Sequence, residues 1–133
     1  MRCKLYLATS WKNELYDEAV RKLEDNGYEV YKFRDTGFKF KGEDGTLEKN
    51  IEDINTPEAI SAFRRDINAL QDCDVCVLLN PCGISSHIEA GYINGLGKQV
   101  FAVGFPKREL LYKLFCIIEN IDVLIVTLKQ SGY

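Results

Sequence analysis

The sequence predicts an α/β protein in which a parallel five-stranded sheet carries helices on both faces. Short β-prone segments alternate with helical segments along the chain, an order typical of parallel strands joined by right-handed crossovers. One of the predicted strands, Val75–Leu79, is a continuous apolar run of the kind that is buried on both faces. The length of 133 residues fits a single domain, residues 1–133.

The first part of the chain contains two predicted strands, one helix and a segment without a regular pattern. Residues 4–9 (KLYLAT) are short and β-prone, and residues 29–33 (EVYKF) alternate as a second strand. Between them, residues 13–26 place apolar side chains on one helical face, and an Asn-Gly pair predicts the end of the helix. Residues 34–55 carry three glycines and many charges. We expect part of this loop to cover another part of the molecule; a solvated insertion is the alternative.

A second helix is predicted to begin after Thr56, which is a suitable N-cap residue. Pro57 follows at the first helical position, and Glu58 places an acid in the first turn. The helix is expected to end near Asp72. Its inward face is predicted to consist of Ile60, Phe63, Ile67 and Leu70.

The remaining segments continue the alternation of strands and helices. They are the strand Val75–Leu79, a helix over residues 86–96, the strand Gln99–Val103, a helix over residues 106–115 and a strand over residues 123–127. Ligands of such sheets bind beyond the carboxyl ends of the strands, near the switch point of the strand order. This rule predicts that ligand-binding residues lie in three loops, at residues 8–12, from 34 onward and at 80–86.

Charge and composition exclude several classes of partner. The formal net charge is −3 and the Lys and Arg residues are scattered, which argues against a nucleic-acid polymer. A monomeric nucleotide needs only one local anion site, so it is not excluded as a ligand. The N-terminal residues do not form a signal peptide, and no apolar run is long enough to cross a membrane. The expected compartment is therefore the cytoplasm.

Three other motifs fit the chain less well. Cys73 and Cys76 form a C-x-x-C that is followed by Cys82 and His87, but Cys76 falls inside a buried strand, so we expect free thiols and no metal. A phosphate-binding loop at residues 95–98 would follow a helix and precede a strand, which reverses the required order. A Ser-His-Asp hydrolase is also disfavoured, because the histidine and the serine beside it would point apart on a helix.

The loop and helix after the strand Val75–Leu79 contain most of the candidate functional residues. Ser85 and Ser86 lie at the expected helix start, where free N–H groups and the helix dipole favour a carboxylate or phosphate. Glu89 has two interpretations. It completes a capping box with Ser86, or it serves a site that needs close approach, since an alanine and a glycine follow it.

Asp66 is the second candidate carboxylate. It lies between Phe63 and Ile67 near the edge of the apolar face of its helix, and a surface ion pair with Arg64 or Arg65 is the alternative. Two carboxylates around one sugar are the arrangement that glycosyl transfer needs. One attacks the anomeric carbon, while the other manages protons or orients the first.

Three segments carry a recognisable pattern, in this order. They are LYLATSW at residues 5–11, RDINAL at residues 65–70 with Asp74 shortly after, and EAGY at residues 89–92 followed by Gly97 and Lys98. Together they resemble the nucleoside 2-deoxyribosyltransferase family, which also includes nucleotide N-glycosidases acting on 5′-monophosphates. The resemblance covers residues 4–103. It implies a three-layer flavodoxin-like (Rossmann-like) sandwich, a double-displacement mechanism and at least a homodimer.

The resemblance also implies roles for individual residues. Glu89 matches the nucleophile that forms a covalent glycosyl ester, Asp66 matches the aspartate beside the leaving base, and Tyr6 matches the tyrosine that positions the glutamate. A carboxylate supplies the covalent step itself, so neither a metal nor an organic cofactor is expected. The implied substrate-binding residues are Ser10, Trp11, Lys12, Gly83, Ser85 and Ser86.

Residues 82–86 depart from the pattern of the family's transferases, which often place an acid there. The serines of this stretch suit a 5′-phosphate better than a bare hydroxyl. We expect an enzyme that moves the sugar of a (deoxy)nucleoside or its 5′-monophosphate to another base. The alternatives are a nucleotide N-glycosidase with water as acceptor, a non-catalytic nucleotide-binding module, and a glycosidase that releases nicotinamide from its dinucleotide.

Overall fold

The computed structural model describes residues 2–36, 54–104 and 109–133 and contains a five-stranded parallel sheet. The strands are Lys4–Ala8 (β1), Glu29–Tyr31 (β2), Val75–Leu79 (β3), Gln99–Val103 (β4) and Cys116–Ile118 (β5). The helices of these residues are Tyr16–Asp25 (α1), Pro57–Asp72 (α2), Ile84–Gly95 (α3) and Ile121–Gln130 (α4), with short 3-10 helices at Phe33–Thr36 and Leu110–Leu114. The strand order is β2-β1-β3-β4-β5. The predicted α/β fold with a parallel five-stranded sheet is confirmed.

Alternate residues of the strands enter two separate cores. Leu5 and Leu7 of β1 belong to the core on the α1 and α4 side, whereas Tyr6 and Ala8 belong to the core on the α2 and α3 side. This division follows from the pleat, which points successive side chains to opposite faces of the sheet. Tyr6 is fully buried in this way, with its side chain directed at the helix layer that carries Asp66 and Glu89.

The strand order also sets the position of the candidate loops. β1 lies between β2 and β3, so the chain leaves β1 toward one side of the sheet and leaves β3 toward the other. The loops after β1 and β3 therefore meet at the switch point of the order, where ligands of such sheets bind. Helix α3 begins five residues after the end of β3, which puts its N-terminus at this edge.

Helix α2 begins and ends where the sequence predicts, but its buried face is a different one. The Thr56 side chain accepts a hydrogen bond from the Ala59 N–H at 3.1 Å and caps the helix. The predicted inward face is wrong in part, because Ile60 and Phe63 expose 41% and 63% of their surface. The residues of α2 that are buried are Ala59, Ala62 and Leu70. The small alanines let α2 approach the sheet closely. With this face turned to the sheet, the side chain of Phe63 is exposed to solvent.

The C-terminal predictions are wrong. Residues 123–127 were expected to form the last strand, but they lie within helix α4, and the last strand is Cys116–Ile118. The Asn120 side chain caps α4 by accepting from the Val123 N–H at 3.0 Å. The helix is favoured because it buries residues 124, 125 and 128 on one face, at helical spacing.

Two predicted segments fall partly outside the described residues. The loop predicted over residues 34–55 begins with the 3-10 helix Phe33–Thr36, and its residues 37–53 lie outside the described part of the chain. The helix predicted over residues 106–115 is replaced in its second half by the 3-10 helix Leu110–Leu114. Residues 105–108, which include the start of this predicted helix, lie outside the described part of the chain.

The described residues contain neither a cluster of metal ligands nor a helix suited to a bilayer. Within residues 2–36, 54–104 and 109–133, no three His, Cys, Asp or Glu side chains are grouped to hold an ion. The helices in this part of the chain are too short or too polar to span a membrane. The five cysteines are free, and Cys76 is fully buried within β3.

Candidate active site

Glu89 and Tyr6 form the centre of the candidate site. Glu89 lies in the second turn of α3, and its Oε2 accepts a hydrogen bond from the Tyr6 hydroxyl of β1. Burial raises the pKa of Glu89 to about 7, the charge of Asp66 adds to this effect, and the Tyr6 hydrogen bond opposes it. Burial and the charge of Glu89 raise the pKa of Tyr6, which keeps the phenol a neutral donor. A carboxylate that titrates near neutral pH is suited to nucleophilic or proton-transfer chemistry.

The capping-box interpretation of Glu89 is wrong. Helix α3 has Gly83 as its N-cap residue, without a side-chain cap, and Ser86 lies in the third helical position. The Glu89 side chain therefore points at Tyr6 instead of folding back on the helix start. This hydrogen bond joins α3 to β1 and has no role in helix capping, and it holds a carboxyl group whose pKa is raised by burial.

Asp66 and Tyr31 form a second pair of the same kind. Tyr31, the last residue of β2, donates its hydroxyl hydrogen to Oδ1 of Asp66 at 2.8 Å. Burial raises the pKa of Asp66, while the Tyr31 hydrogen bond and the positive charge of Arg65 oppose the rise. Asp66 is thus partly withdrawn from solvent, unlike the exposed ion pair that its arginine neighbours suggested.

Ring stacking joins the two pairs into one cluster. Tyr6 and Tyr31 are partners in the parallel register of β1 and β2, and their rings stack with centroids 5.1 Å apart and an interplanar angle of 19°. The charge of Asp66 also raises the pKa of Glu89, so the two carboxyl groups interact electrostatically. The structure therefore brings Tyr6, Asp66 and Glu89 together, and it adds Tyr31, which the sequence analysis missed. We call these four residues the carboxylate cluster.

Arg34 holds the loop that follows β1. Its Nη2 lies within hydrogen-bonding distance of three carbonyl oxygens of this loop, at 3.4, 2.6 and 3.1 Å for Ser10, Trp11 and Asn13. The guanidinium also lies over the Tyr16 ring, 3.9 Å from its centroid. One side chain from the segment after β2 thus sets the course of the backbone at the predicted substrate-binding residues 10–12.

Asn13 ties this loop to the loop after β3. Its Nδ2 lies 2.9 Å from the Thr9 hydroxyl oxygen and 3.3 Å from each of the carbonyl oxygens of Leu79 and Pro81. The Thr9 hydroxyl also donates to the Leu79 carbonyl at 2.7 Å. Asn13 and Thr9 are buried, and buried hydrogen bonds of this kind fix the relative position of their segments. The two loops at the switch point form one connected unit.

The start of α3 is held from the other side by Tyr112. His87 Nδ1 lies 2.6 Å from the Gly83 carbonyl oxygen, and its Nε2 lies 2.5 Å from the Tyr112 hydroxyl. Since a carbonyl can only accept, Nδ1 carries the hydrogen, and in the neutral imidazole Nε2 then accepts from the Tyr112 hydroxyl. Ser85 and Gly83 are exposed at this helix start, while Ser86 is buried.

The predicted site residues therefore fall into two groups. Tyr6, Asp66 and Glu89 lie in the carboxylate cluster, in mutual electrostatic contact. Of the six predicted substrate-binding residues, Ser10, Trp11 and Lys12 lie on the loop after β1, and the other three form the N-cap and first turn of α3 at the same edge of the sheet (Gly83, Ser85 and Ser86). The sequence carried a signal for Tyr31, since the alternation of residues 29–33 puts it on the face opposite to Val30. Arg34 and Asn13 had no comparable signal, because most of their partners are backbone carbonyls.

A groove lies along the outer side of β2 and α2, with a volume of about 480 Å³. Its charged lining residues are Lys4, Glu29, Lys32, Asp35, Arg65 and Asp72. Tyr31 also lines the groove, whereas Tyr6 and Glu89 do not. Tyr31 thus separates this mixed-charge groove from the more deeply buried half of the carboxylate cluster.

Two solved enzymes have a similar structure over nearly the whole chain. The 2-deoxyribosyltransferase of the psychrotolerant bacterium Bacillus psychrosaccharolyticus matches with a TM-score of 0.64 and 19% identity, over 98% of this chain and 92% of that one. The CMP N-glycosidase BcmB of Clostridium botulinum matches with a TM-score of 0.59 and 17% identity, over 95% and 98% respectively. Neither a protein-family model nor a curated protein sequence matches. The chain therefore shares the three-layer flavodoxin-like fold of these two enzymes.

Proposed function

We propose that this chain is a nucleoside 2-deoxyribosyltransferase-like enzyme that cleaves an N-glycosidic bond through Glu89. Its substrate is a (deoxy)nucleoside or the 5′-monophosphate of one, and the sugar passes to another base. The observation that carries the proposal is the part-buried Tyr6–Glu89 hydrogen bond beside a second carboxylate, Asp66. The similar folds of a 2-deoxyribosyltransferase and a CMP N-glycosidase support it.

In the first step Glu89 attacks the anomeric carbon of the sugar. A bond forms between a carboxylate oxygen of Glu89 and C1′, and the bond between C1′ and the base nitrogen breaks. The electron pair of the broken bond stays on the base, which takes a proton from Asp66; the reactive form of the protein therefore carries an ionised Glu89 and a protonated Asp66. The Tyr6 hydroxyl holds the Glu89 carboxylate in place. Burial makes this carboxylate a stronger nucleophile than a solvated one, because its charge is poorly compensated.

In the second step the acceptor attacks C1′ and Glu89 leaves as a carboxylate. The acceptor nitrogen or oxygen gives its proton to Asp66, which restores both carboxyl groups to their starting states. A base as acceptor makes the enzyme a transferase, and water makes it a hydrolase. The same cluster serves both reactions, so the difference lies in what occupies the base position after the first product leaves.

The loop after β3 favours a nucleotide as substrate and hydrolysis as the second candidate activity. Residues 82–86 carry no acidic side chain, and Ser85 is exposed beside the free N–H groups of the α3 N-terminus. A 5′-phosphate matches such a position in charge and in hydrogen bonding. On the other loop, Ser10, Trp11 and Lys12 belong to the backbone held by Arg34.

Two properties predicted from the sequence, self-association and a cytoplasmic location, stay predictions. Exposed apolar side chains support self-association: Ile84 and Ile88 of α3 expose 81% and 65% of their surface, and Phe63 of the adjoining α2 exposes 63%. Large apolar side chains exposed on two adjoining helices favour a contact with another protein surface. Light scattering should give at least a dimeric mass, and Ile88→Asp should lower it. A monomeric mass for the unaltered chain would contradict the prediction.

A product assay tests the proposed activity. Deoxynucleosides, their 5′-monophosphates and a nicotinamide dinucleotide are each incubated with the protein, with and without a second free base, and the products are separated chromatographically. Exchange that requires the added base identifies a transferase, while release without it identifies a hydrolase. Release of nicotinamide identifies the dinucleotide glycosidase instead.

Glu89→Gln separates an enzyme from a binding module. We expect this variant to lose turnover while its substrate affinity stays within about tenfold of the unaltered protein, because the amide keeps the shape but not the nucleophile. Glu18→Gln is the matched control, since Glu18 is an exposed residue of α1 on the opposite face of the sheet. If no substrate of the panel releases or exchanges a base, the proposed function is wrong.

A further inference from the structure

Tyr31 is held against Asp66 by features that do not depend on the carboxylate itself. The parallel register of β1 and β2 pairs it with Tyr6, and the two rings stack with centroids 5.1 Å apart. Its hydroxyl then donates to Oδ1 of Asp66 at 2.8 Å. The phenol is thus fixed in place by backbone pairing and ring stacking, and the flexible partner that it orders is the carboxyl group of Asp66.

We propose that Tyr31 is a positioning residue that fixes the orientation of the Asp66 carboxyl group and so decides which oxygen faces the leaving base. Because Oδ1 accepts the phenol hydrogen, Oδ2 is the oxygen left to give a proton to the base nitrogen and to take one back from the acceptor. The inference rests on the proposed function, in which Asp66 manages the protons of both steps.

The charges around Asp66 are consistent with this role. Arg65 acts on it from the same helix and Tyr31 from β2, while Asp66 itself acts on Glu89 of α3 and Tyr6 of β1. Burial raises the pKa of Tyr31, and its hydrogen bond to Asp66 raises it further, so the phenol keeps its hydrogen. Tyr31 therefore acts as a permanent donor to Oδ1, while burial raises the pKa of Asp66 on balance and so favours the protonated form that the first step requires.

The test compares Tyr31→Phe in two backgrounds. Phenylalanine keeps the ring that stacks on Tyr6 and removes only the hydroxyl. In the otherwise unaltered protein, we expect kcat at each variant's own pH optimum to fall roughly tenfold, with KM changed by less than about threefold. In an Asp66→Ala background, the same substitution should change kcat by less than about twofold, because the group that it positions is gone.

Tyr28→Phe is the matched control. Tyr28 is a buried tyrosine of the other core, and its hydroxyl donates to the Tyr133 carbonyl at 3.2 Å. We expect this variant to leave kcat and KM unchanged. A tenfold loss from Tyr31→Phe that persists in the Asp66→Ala background would overturn the inference, since Tyr31 would then act through its ring or through another partner.

A titration of Asp66 separates this inference from the proposed function. Carboxyl carbon NMR follows the ionisation of Asp66, which is assigned by its absence from the Asp66→Ala spectrum. We expect the pKa of Asp66 to be higher in Tyr31→Phe than in the unaltered protein, and unchanged in Tyr28→Phe, because only the first loses a donor to the charged form. An unchanged pKa overturns the inference even if the enzyme is active. A raised pKa in a protein that releases no base supports the Tyr31–Asp66 coupling while the proposed function fails.

Discussion

Tyr6→Phe removes one buried hydroxyl from the carboxylate cluster and leaves the ring that stacks on Tyr31. This hydroxyl donates to Glu89 and lowers the pKa of its carboxyl group. A hydrogen bond to an ionised group contributes about 1.5–3 kcal/mol, and about 1.4 kcal/mol corresponds to one pH unit. We therefore expect the pKa of Glu89, about 7 in the unaltered protein, to rise by about one to two pH units in the variant.

This rise predicts a loss of activity that depends on pH. At pH 7 about half of Glu89 is ionised in the unaltered protein, against roughly 1–10% in the variant. Because the proposed mechanism requires the ionised form of Glu89, kcat/KM at pH 7 should fall by roughly 5- to 50-fold. The difference should shrink as the pH rises, since both proteins then carry the same ionised Glu89.

The assay is a pH profile of kcat/KM for the unaltered protein, Tyr6→Phe and the control Tyr28→Phe. We expect the acid limb of the Tyr6→Phe profile to move to higher pH, while the control profile superimposes on that of the unaltered protein. An equal loss at every pH, with an unmoved acid limb, would refute the reasoning. Tyr6 would then not act through the ionisation of Glu89.

Four further substitutions, of which Val126→Ala is a control, test the site and the fold. Glu89→Gln should stabilise the protein by about 3 kcal/mol above pH 7 and very little below pH ~4, as measured by urea denaturation. The pKa of the Glu89 carboxyl group is about 7 in the folded protein, against an ordinary value of 4.5. Its ionisation therefore lowers the free energy of unfolding as the pH rises between these two values. Arg34→Lys keeps the charge but cannot reproduce the contacts to three carbonyls, so steady-state kinetics should show KM raised roughly tenfold and kcat changed by less than about threefold. Leu124→Ala should destabilise the protein by about 2–5 kcal/mol in the same denaturation assay, because Leu124 is fully buried. Val126→Ala should destabilise it by less than about 0.5 kcal/mol, because Val126 is 55% exposed. Equal losses of stability would indicate a strand, in which the two side chains share a face.

The elements from β1 to α3 were predictable because they carry local sequence signals that do not depend on the rest of the molecule. Thr56 and Pro57 mark the start of α2 through local capping chemistry. Gly27 and Gly97 mark the ends of α1 and α3, and both adopt the positive φ, 90° and 83°, that favours glycine. The apolar run of β3 is longer and more uniform than a surface strand allows.

The C-terminal elements were not predictable for a physical reason. Residues 123–127 (VLIVT) are β-branched and apolar, which favours a strand by local preference. Helix α4 forms nevertheless, because residues 124, 125 and 128 fill the core beside α1 on a single face. The outcome depends on packing against a distant helix, and short apolar runs leave that choice open in sequence alone.

The candidate site divides in the same way. Glu89, Asp66 and Tyr6 were identifiable from short segments that resemble a known family, and the structure groups them. Tyr31 depends on the register between β1 and β2, a non-local property. The role of Arg34 depends on where a loop backbone runs, which side-chain patterns do not encode.

The proposed covalent role of Glu89 is tested most directly by mass spectrometry of the protein quenched during turnover. The account predicts that the intact mass rises by one sugar residue and that proteolytic mapping finds the ester on Glu89. Glu89→Gln should show no adduct and no turnover. A sugar found on a different residue, or base release by Glu89→Gln at the rate of the unaltered protein, would contradict the account.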